Sequence, residues 1–297
     1  MNKITKELIN DSSFDFFSSY LDVNLRENRK IYQELVSTTK DIINNSLERA
    51  KKNLEGGHYK GSQCAEEISN LYDHVIKNYY NYLNAHSYIS QNKTDFEKMA
   101  IIATGGYGRG KISPGSDIDL LFLMPFKKTA WAESIAENLL YFLWDLGLKI
   151  GHATRNINEC LTLSSKDQTI TTSLLDARYI CGDKEVKNVF DKKFRNTISR
   201  RSPGDFIAAK LEERETRHIK EGQSRYLVEP NVKNGKGGLR DLESLSWMTN
   251  FCYEAPRPEQ MVKNGVLTKS EAEVFKRCED FLWHIRCQLH FLEKNPN

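Results

Sequence analysis

Apolar residues recur at helical spacing through the first third of the chain. They fall every three or four positions in the run Ile68, Leu71, Tyr72, Val75, Ile76 and Tyr79. This spacing places them on one face of a helix, and Gly56-Gly57 interrupts the region, so two or more helices are predicted, divided near these glycines. The neighbouring tyrosines at positions 79, 80 and 82 are predicted to pack between helices rather than to form a stacking platform.

Short apolar runs replace the helical spacing in the middle of the chain. Residues 99–104 and 118–124 are apolar and of strand length, and the first run is followed by two glycines. The patterns over 131–146, 148–155 and 167–180 predict a helix, a third strand and a further helix. This order predicts an α+β fold in which helices pack against a small mixed β-sheet.

The last part of the chain is predicted to be helical. A charged helix follows a proline-glycine break, and a long amphipathic helix covers residues 270–293. Between them, residues 229–238 are rich in glycine and precede another helix. We therefore predict three parts, namely an N-terminal helical region over 1–95, a sheet-containing core over 96–183 and a C-terminal helical bundle domain over 184–297.

The amino-acid composition limits the kinds of molecule that the chain is expected to bind. The 297 residues are 39% hydrophobic and 28% charged, with a formal net charge of +3. These proportions are typical of a globular protein in water. They disfavour bulk binding of nucleic acid, which requires a strongly basic surface. A mononucleotide requires only a few local cations, so the chain is predicted to bind no nucleic acid while a nucleotide remains possible.

The spacing of the cysteines and the sequence of the N-terminus indicate in which cellular compartment the protein lies. The six cysteines lie far apart and form no C-x-x-C pair, so neither a zinc site nor a small disulfide scaffold is predicted. Free thiols in a reducing environment are expected instead. The N-terminus lacks an apolar signal segment, and no apolar window reaches the length of a membrane span. We predict a cytoplasmic protein that does not associate with membranes.

A pair of aspartates carries the clearest chemistry. Asp117 and Asp119 lie two positions apart at the start of a predicted strand, so their carboxylates share one face. Two acids this close repel each other unless a cation lies between them, and Mg²⁺ binds carboxylates and substrate phosphates together. The turn Gly105-Gly106 lets backbone N–H groups approach an anion closely. A phosphate cradle beside a metal-binding acid pair predicts nucleotidyl transfer.

Neighbouring polar residues extend this predicted site. In-line attack on an α-phosphate depends on positioning and on cations, and two metal ions about 3.5–4 Å apart can hold the attacking and leaving oxygens. Asp117 and Asp119 would be the shared ligands. Ser116 could donate to a phosphate oxygen, and Arg109 could stabilise charge on the triphosphate. Apolar strand, Gly-Gly, Ser-Asp-x-Asp and apolar strand together favour this function over a solvated surface turn.

This arrangement resembles the DNA-polymerase-β-type nucleotidyltransferase superfamily, whose hallmark is Gly-Gly or Gly-Ser followed by Asp-x-Asp on the next strand. The longer run over residues 105–119, Gly-Gly-Tyr-Gly-Arg-Gly-x-x-Ser-Pro-x-Ser-Asp-x-Asp, looks like that of the bacterial PII uridylyltransferase family. It is similar, more distantly, to the glutamine-synthetase adenylyltransferases. The resemblance implies that Gly105, Gly106, Asp117 and Asp119 bind nucleotide and metal.

The same resemblance implies a third carboxylate from a later strand. Residues 149–155 contain none, and Asp176 is the nearest acid in a plausible frame. A helical aspartate beside Arg178 is more often part of a structural ion pair. His152 could contact substrate, but a core histidine is an equally good interpretation. The identity of a third ligand stays open at this point.

A second glycine-rich segment carries several basic residues. Residues 228–242 place Lys233 and Arg240 among three glycines, immediately before a helix. A basic loop at a helix N-terminus suits an anion, so both residues are candidates to bind the triphosphate. Asp241 is also a good N-cap for a helix that begins at Leu242. From the residues alone, a capped helix without a ligand is an equally good interpretation.

The pattern Glu-Pro-Asn-x-Lys-x-Gly-x-Gly-Gly-Leu-Arg-Asp over 229–241 is similar to the PII uridylyltransferase family as well. Weaker matches over 56–80 and 281–290 extend the similarity. The resemblance implies transfer of UMP from UTP to a tyrosine of a PII-type protein, with Mg²⁺ as cofactor and release of pyrophosphate. The family continues into an HD hydrolase domain and two ACT domains. This sequence contains no His-Asp pair, so we expect those domains, uridylyl removal and the glutamine response to be absent from it.

Two other functions remain open at this stage. One is an adenylyltransferase of the glutamine-synthetase-modifying type, and the other is a non-catalytic fragment that binds nucleotide or PII. Retention of Asp117 and Asp119 argues against a decayed site. Incorporation of labelled UTP or ATP would separate the two donors, and release of pyrophosphate would separate an enzyme from a binding module.

Overall fold

The computed structural model describes residues Phe17, Leu25, 28–86, 97–221 and 231–293. Their elements are, in chain order, α1 (Arg29–Glu55), α2 (Gly61–His86), β1 (Ala100–Ala103), α3 (Gly105–Gly108), β2 (Ile118–Met124), α4 (Ala130–Asp145), β3 (Ile150–Asn156), α5 (Ile157–Lys166), α6 (Gln168–Leu175), β4 (Arg178–Gly182), α7 (Lys184–Ile198), α8 (Pro203–Lys220), α9 (Leu239–Tyr253), α10 (Pro258–Lys263) and α11 (Lys269–Leu292). The predicted α+β class is confirmed. None of the helices in the described ranges combines the length and apolar character that crossing a bilayer requires.

The predicted division of the N-terminal helices is confirmed. Helix α1 ends at its C-cap, Gly56, and Gly57 then adopts the left-handed φ of 71° that a side chain would resist. The tyrosines of α2 are buried, as predicted. The ring of Tyr79 stacks on that of Phe142 in α4, with 3.8 Å between the ring centroids. These aromatic residues therefore join the N-terminal helices to the sheet-containing core.

The four strands form one mixed sheet in the order β3-β2-β1-β4. Strand β1 is antiparallel to β2 and to β4, whereas β2 and β3 are parallel. A parallel pair requires a crossover, and α4 supplies it between β2 and β3. As a result, the turn after β1 and the beginnings of β2 and β3 meet at one edge of the sheet.

Helices cover both faces of this sheet. Alternate residues of β1 and β2, such as Ile101 and Phe122, pack into a core with α1, α2 and α4. The intervening residues, such as Ile102 and Leu121, pack into a second core that includes Phe190 and Trp247 from the C-terminal helices. Because both faces of the sheet are buried, the sequences of these strands are continuously apolar.

Helix α11 packs closely on the start of α2. A Cβ at Gly61 would overlap the backbone of His284, so only glycine permits this approach. Beside it, Ser62 Oγ donates a hydrogen bond of 2.6 Å to Asp280 Oδ1. The cysteines of the described residues are free, as predicted, and Cys64 and Cys287 lie buried in α2 and α11. This packing fixes the position of α11 along α2.

The prediction of one helix over residues 167–180 is wrong. Helix α6 ends at Leu175, and Arg178–Gly182 form the edge strand β4, which pairs with β1. Helix α5, which lies between β3 and α6, was not predicted. The local pattern is compatible with a helix, but β1 offers hydrogen bonds that only the folded sheet provides. Gly182 fits against the Met99 backbone with a φ of 94°, a conformation that favours glycine.

Candidate active site

The first glycine turn leads directly from β1 into the short helix α3. Gly105 has a φ of 55°, in the left-handed region, and a Cβ there would lie 3.0 Å from Asp119 Oδ2. Across the same strand pair, Thr104 N donates to the Asp119 carbonyl at 3.0 Å. Gly106 is exposed. The turn that was predicted to cradle phosphate therefore lies against one of the two predicted acids.

A second glycine lies on the other side of Asp119. The parallel register pairs Asp119 with Gly151 of β3, and a Cβ at Gly151 would overlap Asp119 Oδ1. The carboxylate is thus seated between Gly105 and Gly151. Sequence reasoning missed Gly151, because its role follows only from the parallel pairing of β2 with β3.

The electrostatics of Asp119 reflect the neighbouring charges. Burial, followed by the charge of Asp117, raises the pKa of the Asp119 carboxyl, while Lys233 and Arg109 act in the opposite direction. Asp117 itself is exposed. The structure therefore brings the predicted acid pair together at the sheet edge, with a cation from the second glycine-rich segment nearby.

The donor set fits a divalent cation of the magnesium type. Among the residues that the structure describes, no group of three or more His, Cys, Asp and Glu side chains could hold a metal. Two carboxylates suffice for Mg²⁺, which keeps several waters and takes further ligands from substrate phosphates. Gly105 and Gly151 bring no side chain against the Asp119 oxygens, where a Cβ at either position would lie. Nucleotidyltransferases as a class use a divalent metal.

Asp176 is held by structural contacts. Its Oδ2 accepts a hydrogen bond of 2.6 Å from Arg109 Nη1 and one of 2.9 Å from Trp247 Nε1. It is the C-cap of α6, and burial raises the pKa of its carboxyl. The ion-pair interpretation suits this residue, although its partner is Arg109. Arg178 instead pairs with Asp73 of α2.

Arg109 connects the first glycine turn to α9. Besides Asp176, it pairs with Glu243, and its guanidinium carbon lies 5.7 Å from the centroid of the Trp247 ring. Arg240 also pairs with Glu243, at 2.9 Å. Two of the three basic residues predicted to bind the triphosphate, Arg109 and Arg240, therefore form ion pairs with protein carboxylates.

Ser116 lies in a turn that is connected to α11 by hydrogen bonds. Its Oγ is 2.6 Å from Ser113 Oγ, which in turn accepts a 3.0 Å hydrogen bond from Arg286 Nε. His290 Nδ1 lies 2.8 Å from the Pro114 carbonyl oxygen and can donate to it. Sequence reasoning assigned no role to Arg286. Its only signal was its place in the 281–290 stretch that resembles the uridylyltransferase family.

The second glycine-rich segment is a compact loop at the start of α9. Asn231 Oδ1 accepts hydrogen bonds from the backbone N–H groups of Lys233 at 3.0 Å and Asn234 at 2.8 Å. Helix α9 begins at Leu239 with Gly238 as its N-cap, so the prediction of Asp241 as N-cap is wrong. Asp241 lies in the first turn, where its Oδ2 accepts from Gly237 N at 2.8 Å.

Lys233 brings this loop to the acid pair. Burial is the first cause that lowers the pKa of its ammonium group, and the charges of Arg286 and Arg240 lower it further. Its own charge favours the ionised form of Asp119. The two motifs thus meet in space. His152, by contrast, is exposed beside Trp144, with ring centroids 6.0 Å apart, so it is not a core histidine.

Comparison with known proteins agrees with this geometry. Residues 87–178 match the family model described as nucleotidyltransferase domain, and residues 205–297 match the one described as GlnD PII-uridylyltransferase. Two curated relatives named bifunctional uridylyltransferase/uridylyl-removing enzyme, from Bradyrhizobium sp. strains BTAi1 and ORS 278, are each 48% identical over 236 residues. That alignment covers 80% of this chain and 25% of each relative.

The chain spans about a quarter of the length of these relatives. The Asp119 site lies within the first matched stretch, and the Lys233 loop and Arg286 lie within the second. Both stretches therefore contribute residues to the candidate site. The chain thus contains one stretch that matches the nucleotidyltransferase domain model and one that matches the GlnD PII-uridylyltransferase model, and most of its length is similar to bifunctional uridylyltransferase/uridylyl-removing enzymes.

Proposed function

We propose that this chain transfers UMP from UTP to a tyrosine hydroxyl of a PII-type protein and releases pyrophosphate. The observation that carries the proposal is the position of the Asp119 carboxylate between Gly105 and Gly151, with Lys233 nearby. Acids for a cation, an open glycine turn and a basic loop are the parts that phosphoryl transfer requires. The name of the relatives suggests the uridylyl group, and the description of the matched family model suggests the PII partner.

Asp117 and Asp119 would hold the divalent cation, which we propose to be Mg²⁺. When bound, it supplies positive charge to the phosphate oxygens as negative charge develops in the transition state. Oxygen ligands of this kind suit Mg²⁺ better than softer metals.

The other residues bind and orient the nucleotide. The backbone N–H groups of Gly105 and Gly106 approach the phosphates, and Ser116 donates its hydroxyl hydrogen. The tyrosyl oxygen forms a bond to the α-phosphorus while the bond from that phosphorus to the β-phosphate oxygen breaks, and the phenolic proton passes to water. The ammonium group of Lys233 interacts directly with the negative charge of the phosphates.

Arg109 and Arg240 act mainly as positioning residues in this proposal. Their ion pairs with Asp176 and Glu243 tie α3, the end of α6 and α9 together. These contacts fix the distance between the glycine turn and the Lys233 loop. Positioning matters here because an error of about 1 Å in a reacting group can reduce the rate about a hundredfold.

The experiment is incorporation of labelled nucleotide into purified PII protein by the full chain. Label from UTP is expected on PII with the wild type and with the exposed control Glu137→Gln on α4, and none with Asp119→Asn. Label from ATP on glutamine synthetase would favour the adenylyltransferase alternative. Failure of the wild type to release pyrophosphate in the presence of UTP, Mg²⁺ and PII would contradict the proposed activity and favour a binding role.

A further inference from the structure

Two cations beside the acid pair form no ion pair with any carboxylate that the structure describes. Arg109 pairs with Asp176 and Glu243, and Arg240 pairs with Glu243. Within the described ranges, by contrast, no carboxylate lies at ion-pair distance from Lys233 or Arg286. Four basic side chains thus act on one another here, and two of them have no ion-pair partner among the described residues.

Arg286 uses only the Nε atom of its guanidinium to hydrogen-bond to the described part of the protein. Its Nε donates to Ser113 Oγ at 3.0 Å, and Ser113 Oγ is hydrogen-bonded to Ser116 Oγ at 2.6 Å. Its two terminal amino groups make no hydrogen bond to any part of the chain that the structure describes. A guanidinium has five N–H donors in a rigid fork that matches phosphate oxygens. Arg286 is therefore fixed in position with most of its donors available.

Partial burial makes the positive charges of Lys233 and Arg286 energetically unfavourable unless an anion is bound. Desolvation is the first cause that lowers the pKa of both Lys233 and Arg286; the charge of Glu243 acts in the opposite direction on each, and that of Arg240 lowers each further. The charge of Arg286 also acts on Lys233. Like charges that are partly removed from water repel each other, and a bound anion would offset that repulsion. Such an anion would lie close to Asp119, because the charge of Lys233 acts on that carboxylate.

We propose that Lys233 and Arg286 together bind the two outer phosphates of the nucleoside triphosphate, the part that leaves as pyrophosphate. This inference rests on the proposed function for the identity of the nucleotide. When the bond between the α-phosphorus and the β-phosphate oxygen breaks, its electron pair stays on that oxygen. The ammonium and guanidinium groups stabilise the resulting charge through charge-assisted hydrogen bonds, without a proton transfer.

The position of Arg286 also connects the proposed site of the leaving group to the turn that carries Ser116. Through Ser113, its Nε reaches the turn that carries Ser116, while Lys233 comes from the loop before α9. The outer-phosphate site is thus built by the C-terminal helical region, and the metal-binding acids by the sheet. Nucleotide binding should accordingly depend on both regions.

Calorimetric titration of the full chain with inorganic pyrophosphate, in the presence of Mg²⁺, tests this site without requiring turnover. The variants are Lys233→Gln and Arg286→Gln. Matched controls are Lys236→Gln, an exposed residue of the same loop, and Arg277→Gln, an exposed residue of the same helix. Each site variant should bind about tenfold to a hundredfold more weakly, and each control within about twofold of the wild type.

Arg286→Lys provides a second measurement. It retains the charge but loses the fork and the Nε donor to Ser113, so its affinity should lie between those of the wild type and Arg286→Gln. If Arg286→Gln does not fold, Lys233→Gln and Arg286→Lys decide the matter. The proposal is overturned if the wild type does not bind pyrophosphate, or if the site variants bind it as tightly as their controls.

Labelling of PII in parallel separates this inference from the proposed function. Unchanged pyrophosphate binding in the variants, together with a wild type that labels PII, would remove the outer-phosphate site and leave the uridylyltransferase. Weakened binding in the variants of a chain that labels no protein would leave the phosphate site and remove the uridylyltransferase.

Discussion

Asp119 of β2 lies directly across from Gly151 of β3, and its carboxylate occupies the space that a side chain at residue 151 would fill. This relationship orients the acid on which the proposed metal site depends. It arises from the register of a parallel strand pair rather than from any feature of the Asp-x-Asp motif itself.

Replacement of Gly151 by alanine should therefore displace the Asp119 carboxylate while leaving the sheet intact. We expect the rate of nucleotidyl transfer to fall about a hundredfold, because the added Cβ would overlap Asp119 Oδ1. Thr154→Ala, on the same strand, is the control and should retain activity. Initial rates with saturating UTP are the measurement, and Mn²⁺ affinity gives a readout independent of turnover. Wild-type values for both in Gly151→Ala would contradict the role of this glycine.

Replacement of Asp176 by asparagine should destabilise the protein in the absence of metal. The change leaves Arg109 with less negative charge in a mostly buried ion pair, so the free energy of unfolding should decrease by about 3 kcal/mol. Urea denaturation without added metal measures it. The control, Asp191→Asn, removes a partly exposed partner of Lys187 and should cost less than about 1 kcal/mol. Unchanged stability combined with lost Mg²⁺ binding would instead make Asp176 a metal ligand.

His290 should make the stability of the protein sensitive to mild acid. Burial is the first cause that lowers its pKa from the ordinary value of 6.5, and nearby Arg286 and Lys233 lower it further. The unfolded chain then binds a proton more readily than the folded chain. The stabilisation is present above the unfolded pKa and is lost as pH falls through the lower, folded value. The free energy of unfolding should decrease between about pH 7 and about pH 5.

The variant His290→Asn isolates that contribution. Asparagine can replace the Nδ1 donor to the Pro114 carbonyl but does not titrate. Denaturant unfolding at both pH values should show a smaller pH-dependent loss for the variant than for the wild type. An equal loss in the two proteins would show that other groups govern the pH dependence.

Gly61 should tolerate no side chain. A Cβ at this position would overlap the His284 backbone, which cannot move without separating α2 from α11. Gly61→Ala should lower the free energy of unfolding by about 2 kcal/mol or more. Gly204→Ala, where the nearest atom would be at the ordinary distance of 3.7 Å, is the matched control and should be nearly neutral. Equal thermal midpoints for the two variants would contradict the close packing.

The sequence by itself determined the local elements whose signals are short-range. Periodicity predicted the helices on either side of Gly56-Gly57, and alternation between apolar runs and glycines predicted strands β1 and β2. The residue types at Asp117 and Asp119 indicated a cation. The second glycine-rich motif added the family resemblance that the matched models bear out. These features depend on residues within a few positions of one another, which is why a linear sequence carries them.

The tertiary structure alone decided which of these residues meet. It placed Gly151 beside Asp119, assigned Asp176 to Arg109 instead of Arg178, and made a strand of Arg178–Gly182 by pairing it with β1. It also brought Arg286 from the last helix to the turn that carries Ser116. Each of these depends on strand register or helix packing between distant segments. Burial and hydrogen bonding across such contacts fix them, and no local pattern of residues encodes that geometry.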